Sequence, residues 1–259
     1  MYKVIRMLKK LLTKIYLKLI GSYIPDYSNG EGDRPHYGYC ITKAAKLAIN
    51  LGHKKVSIIE LGVAGGRGLI SIEKNCEIIK KTLDIDFEIY GFDMESGLPK
   101  PLDYRDEPFK WSEGFYKMER KKLESRLKFS KLIIGDVSKT INSFFSENNP
   151  APIGCIMFDL DLYSSTKNAF KLFDGDDKFL LPRLMCYFDD IGCIEFLGER
   201  LAIKEFNDEN NNRKIGQNLK LKFNSKVRGN YIFEYHNFNH PDYVKKSELK
   251  TKTELELDS

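Results

Sequence analysis

No run of about 18 uncharged apolar residues occurs in the 259-residue chain, so no membrane-spanning helix is expected. Cysteine is scarce and odd in number: five residues, none in a Cys-x-x-Cys pair, with Cys155 and Cys186 inside apolar runs. No disulfide framework can be read from that pattern, and reduced, buried thiols of a cytosolic protein are expected. The four histidines are scattered, and no His-x-Asp/Glu pair with a distant partner histidine suggests an iron triad. Gly-Lys-Ser/Thr is missing, which excludes a P-loop. There is no internal repeat and no convincing interdomain linker. Lysines interrupt the apolar part of the N-terminus, and no clear small-residue cleavage site follows, so a signal peptide is not expected.

One further absence is local. The first 20 residues contain no acid but carry Lys3, Arg6, Lys9, Lys10, Lys14 and Lys18. The remaining residues hold 36 basic against 37 acidic side chains, so the formal charge of +5 belongs to the N-terminus. A nucleic-acid enzyme would spread positive charge over its working face, and nucleic acid is not an expected partner. Apolar residues at 4, 8, 11, 12, 15 and 19 of the same segment line one helical face. Such a helix can lie on an anionic membrane surface, or it can pack on the domain or on a second subunit. The division expected is a basic amphipathic helix over 1–24, one domain over 25–245 and a flexible, charged tail over 246–259.

Between these ends the chain alternates. Apolar strands are expected at 56–62, 87–93, 131–137, 154–160 and 184–190. Helices are expected in "ITKAAKLAINLG", "GRGLISIEKNCEIIKKTL", "YKMERKKLESRL", "SSTKNAFKLF" and "EFLGERLAIKEFNDEN". The stretch "GSYIPDYSNGEGDRPHYGY" reads as a loop. "LKLKFN" and "NYIFEYHNF" read as two late strands joined at Arg228-Gly229-Asn230. This order implies a mostly parallel sheet with helices on both faces and an antiparallel pair at its edge.

All five strands run into an acid: Glu60-Leu61-Gly62, Phe92-Asp93, Gly135-Asp136, Phe158-Asp159-Leu160-Asp161 and Asp189-Asp190. Ligands of open parallel sheets bind at the carboxyl ends of strands, so acids on one rim point to a shared site. The turn "ELGVAGGRG" brings its backbone close to a ligand through Gly62, Gly65, Gly66 and Gly68. Its spacing does not fit the Gly-x-Gly-x-x-Gly dinucleotide fingerprint. Asp93 stands where an acid accepts bonds from ribose hydroxyls. Asp136 can receive an adenine amino group, cap the following helix, or both.

In order and spacing, "IIELGVAGGRG", "IYGFDMESGLP", "IIGDVSKTI", "MFDLDLYSST" and "CYFDDIG" resemble the class I S-adenosylmethionine-dependent methyltransferases. "DLDLYSST" followed by "FDD" is similar, more narrowly, to the macrocin and mycinamicin O-methyltransferase type, over roughly residues 38–210. The resemblance implies a Rossmann-like, seven-stranded fold, with S-adenosylmethionine and Mg²⁺ as cofactors. It implies that Glu60, Gly62, Ala64, Gly65, Gly66, Asp93, Asp136 and Asp159 bind the cofactor, Asp159 also being a turn acid behind the metal. It implies that Asp161, Asp189 and Asp190 hold the metal, with Asp161 also the proton acceptor. Physically, close carboxylates repel unless a cation neutralises them, and an oxygen-only set suits Mg²⁺. The expected reaction is methyl transfer to a sugar hydroxyl of a glycan, glycolipid or glycosylated metabolite, in the cytoplasm or at the inner face of its membrane. A small non-sugar diol as acceptor, and a non-catalytic nucleoside-binding or scaffolding protein of the same fold, are the alternatives. The missing Asn/Asp-Pro-Pro-Tyr/Phe motif speaks against methylation of nucleic acid. The segment 104–118, with Trp111, is expected either to cover the acceptor or to pack on the domain. His36 and Tyr163 are further candidates to line the site.

Overall fold

A computed structural model describes residues 8, 11–16, 18, 23–192 and 194–244. Seven strands form one sheet in the order β3-β2-β1-β4-β5-β7-β6. They are β1 Lys55–Leu61, β2 Asp86–Asp93, β3 Lys131–Ile134, β4 Ile153–Phe158, β5 Leu180–Phe188, β6 Arg213–Gln217 and β7 Ile232–Asn237. β1 to β5 are parallel, while β7 runs antiparallel to both β5 and β6. The helices are α1 Pro35–Asn50, α2 Arg67–Lys80, α3 Arg120–Glu124, α4 Val137–Asn148, α5 Tyr163–Ala169 and α6 Gly198–Glu209.

Strand alternation divides the core in two. Val56, Ile58, Cys155 and Met157 pack on the α1–α2 face. Ile59, Leu61, Ile156 and Phe158 face α4, α5 and α6. On that second face the rings of Phe158 and Phe188 stack at 4.5 Å, both fully buried. Each such ring contributes roughly 1.5–3 kcal/mol through burial. Cys40, Cys76, Cys155 and Cys186 are buried free thiols, as expected; Cys193 lies outside the described residues.

Three expectations need correction. "LKLKFN" is not a strand: β6 lies earlier, at Arg213–Gln217, and residues 219–223 form turns. The antiparallel pair at this end of the sheet is as expected, with β7 between β5 and β6 and β6 outermost. The loop before the first helix is shorter than expected, because Pro35 opens α1, where a missing N–H costs nothing. The helix in "YKMERKKLESRL" contracts to Arg120–Glu124. The expected tail over 246–259 lies outside the described residues.

Candidate active site

The glycine turn between β1 and α2 lies against the acid-bearing loop after β4. Gly62 has φ +86°, and a Cβ there would stand 1.8 Å from the Asp159 carbonyl oxygen, so only glycine fits. Asp93, at the end of β2, fastens this turn: its Oδ2 accepts from the N–H groups of Val63 at 2.9 Å and Ala64 at 2.8 Å. Its Oδ1 accepts from the N–H of Glu95 at 2.6 Å. The expected ribose acid thus holds three backbone donors, a role that the strand-end position alone did not reveal. Asp136 caps α4, its Oδ1 accepting from the Ser138 N–H at 2.8 Å, and so has the capping role considered for it.

Two cavities open along this rim. The first is mainly apolar and is lined by Gly62, Phe92, Asp93, Leu98, Asp136 and Val137 among others. The second is lined by Glu60, Gly62, Ala64, Gly65, Asp159, Asp161, Asp189 and Asp190, together with Arg34, Trp111 and Tyr116. Gly62, Tyr116 and Asp159 line both. The structure brings the expected residues together at these two cavities, except Gly66, whose αL conformation turns the chain into α2 against Leu123.

The second cavity is dominated by carboxyls. Asp159, Asp189 and Asp190 each offer an oxygen within 4.8 Å of the others. Asp161 follows in a left-handed conformation, φ +62°, because β4 ends at Phe158 and the strand alternation stops there. Burial, followed by repulsion from Asp190 and Asp159, pushes its carboxyl well above the usual range. Burial and then the charges of Asp189 and Asp190 push Asp159 up to about 7. Glu60 is fully buried and is pushed up to about 8, first by desolvation and then by Asp159. Its Oε1 accepts from the Tyr37 hydroxyl at 3.1 Å, while Oε2 has no partner.

Protein cations compensate only part of this charge. The Arg228 guanidinium donates to Asp189 Oδ1 at 2.8 Å, the oxygen that also accepts from the Tyr187 hydroxyl at 2.7 Å. Lys110 lies 3.5 Å from Asp190. Behind Asp190, buried Glu199 accepts the Asp190 N–H at 2.9 Å through Oε2 and leaves Oε1 without a partner. Sequence reasoning missed Arg34, Lys110, Glu199 and Arg228. Only the folded chain brings them to the rim, and no local motif marks them.

Two candidates find other places, and a third stays at the site. His36 packs between Tyr37 and Tyr187, with ring centroids 4.9 and 4.7 Å away, and burial pulls it down to about 3. It is a neutral packing residue and lines neither cavity. The Tyr163 hydroxyl turns away to donate to Glu205 at 2.5 Å. Trp111 is buried, yet its ring lines the acidic cavity and its Nε1–H has no partner.

Among solved structures, the calicheamicin methyltransferase CalS11 matches with a TM-score of 0.52 at 22% identity, over 65% of this chain and 70% of that one. The O-methyltransferase NovP matches with a TM-score of 0.51 at 15% identity, over 68% and 72%. The fold is that of the class I methyltransferases. No family model and no curated protein matches the sequence. At these identities the likeness speaks for the fold.

Proposed function

We propose that the chain is an S-adenosylmethionine-dependent O-methyltransferase that transfers methyl to a sugar hydroxyl with the help of Mg²⁺. The observation that carries this reading is the junction of the two cavities. An apolar cleft shares Gly62, Tyr116 and Asp159 with a pocket of carboxyls. The apolar cleft suits adenosine, and the Gly62 turn suits the atoms that join adenosine to the amino acid. Glu60, buried with one free oxygen, suits an ammonium group. CalS11 and NovP being methyltransferases supports the same chemistry.

A divalent cation fits the acidic pocket, because the donors are all oxygens and, among the described residues, Asp159 forms no ion pair and feels only the fields of Arg34 and Arg228. Asp189 and Asp190 would hold it in either of two arrangements: with Asp159, which the geometry places beside them, or with Asp161, which the resemblance implies. Such an ion supplies Lewis-acid polarisation of an oxygen held beside it. The residues do the rest. Tyr116 and Trp111 wall the cavity in which the acceptor would lie. Asp161, within the same cavity, takes the hydroxyl proton. Holding the acceptor in line with the methyl group supplies the larger catalytic share.

Calorimetric titration of S-adenosylhomocysteine and of Mg²⁺ into wild type, Asp159→Asn, Asp161→Asn and Asp189→Ala tests this. The expected result is nucleoside binding to all four, with Mg²⁺ binding lost in Asp189→Ala. Loss of Mg²⁺ binding in only one of the two asparagine variants separates the metal arrangements. A folded wild type that binds no nucleoside refutes the methyltransferase reading.

A further inference from the structure

The N-terminal segment has no part in the chemistry above, and its described residues are oriented in an unusual way. Residues 11–16 are helical. Leu8, Leu11, Leu12 and Ile15 follow the spacing of one helical face, and they and Tyr16 are between 46% and 64% exposed. The side facing the body is a basic one. Lys14 is ion-paired with Glu31, its ammonium lies 5.4 Å from the Tyr23 ring centroid, and that of Lys18 lies 5.1 Å from it. The Tyr23 hydroxyl also donates to Glu31. The polar flank is therefore tethered and the apolar stripe is turned outward, the reverse of a helix docked on its own domain.

We propose that this segment is an interfacial anchor that seats its leucine stripe in the headgroup region of an anionic lipid surface. Two observations select lipid over a second copy of the chain. The segment carries six basic residues and no acid within its first 20 positions, so pairing it with its own copy would bring like charges together. The rest of the chain is nearly balanced, 36 basic against 37 acidic residues, and offers no large excess of negative charge to receive it. An anionic membrane supplies both needs, a wet apolar boundary for the leucines and phosphates for the lysines that flank them. The anchor is short in sequence from the cavity. Glu31 and Tyr23, which hold it, lie just before Arg34, which lines the acidic pocket. The proposal is independent of the reaction assigned to that pocket.

The test is cosedimentation of the full chain with vesicles of phosphatidylcholine containing ~30% phosphatidylserine, against pure phosphatidylcholine. The expected result is binding to the anionic vesicles that is largely lost at about 0.5 M salt, where screening shortens the reach of the lysines. Leu11→Glu/Leu12→Glu is expected to lower the bound fraction about tenfold or more, and Lys9→Glu/Lys10→Glu to abolish preference for the anionic lipid. The thermal melt of the leucine variant should match wild type, since Leu11 and Leu12 are exposed and belong to neither core. Wild type that ignores anionic vesicles, a leucine variant that binds like wild type, or a stripe-dependent dimer without lipid binding would each overturn the proposal.

Discussion

Glu60 gives the molecule a stability that should fall as pH rises, the opposite of the usual behaviour of a carboxyl in a salt bridge. Its side chain is 1% exposed and meets the Tyr37 hydroxyl with one oxygen only. Desolvation, with repulsion from Asp159, lifts its pKa from 4.5 to about 8. Below the lower value both folded and unfolded chains hold the proton, and the contribution is fully present. Between 4.5 and 8 the folded chain keeps the proton while the unfolded chain has released it, so each added pH unit favours unfolding. At about 1.36 kcal/mol per unit, the ligand-free protein loses up to roughly 5 kcal/mol across this window. Entry of water beside the charged form will make the real loss smaller. Glu60→Gln keeps the shape and a neutral group but cannot ionise. The assay is urea unfolding of both proteins in chelator at intervals from about pH 5 to 9. The wild-type curve should decline more steeply than that of Glu60→Gln, and the gap should close toward the acid end. Parallel curves would show that Glu60 is ionised in the folded protein and that its burial is not as described.

Gly62→Ala forces a Cβ to 1.8 Å from the Asp159 carbonyl at φ +86°, and should destabilise by roughly 2–4 kcal/mol and weaken S-adenosylhomocysteine binding. Unchanged calorimetric affinity and melting would refute the close approach. Glu73 is buried and accepts from the N–H groups of Lys128, Phe129 and Ser130, so Glu73→Ala should cost roughly 3–5 kcal/mol in urea unfolding. Arg228→Met removes the guanidinium that faces Asp189; the half-exposed pair should lower stability by only about 1 kcal/mol. Mg²⁺ should then raise the melting temperature of that variant more than that of wild type, and an equal rise would show that Arg228 does not compensate the cluster.

How far the sequence can be read depends on how local the cause is. Continuous apolar strands and the alternation of helices marked β1 to β5; burial on both faces requires that composition in β1, β4 and β5, while β3 at the far edge is only partly covered. The acids at their ends also sit on the rim as expected, since parallel strands in one sheet place their carboxyl ends together. The edge was less legible. β6, Arg213–Gln217, is Arg-Lys-Ile-Gly-Gln, with only Ile215 buried. A strand with one buried side chain has little hydrophobic alternation to find, and the more apolar "LKLKFN" drew the assignment to itself. The same logic applies at the site. The Gly62 turn is local and was legible. The role of Asp93 depends on two N–H groups some thirty residues away, and the acid pocket depends on Arg34, Lys110, Glu199 and Arg228 arriving from four separate segments. Asp159 and Asp161 show the limit most clearly. Alternation predicts one shared side for them only while the chain stays extended, and the left-handed turn at Asp161 breaks that premise. The geometry sets Asp159 beside Asp189 and Asp190, the resemblance implies Asp161, and the metal titration of Asp159→Asn and Asp161→Asn tells the two apart.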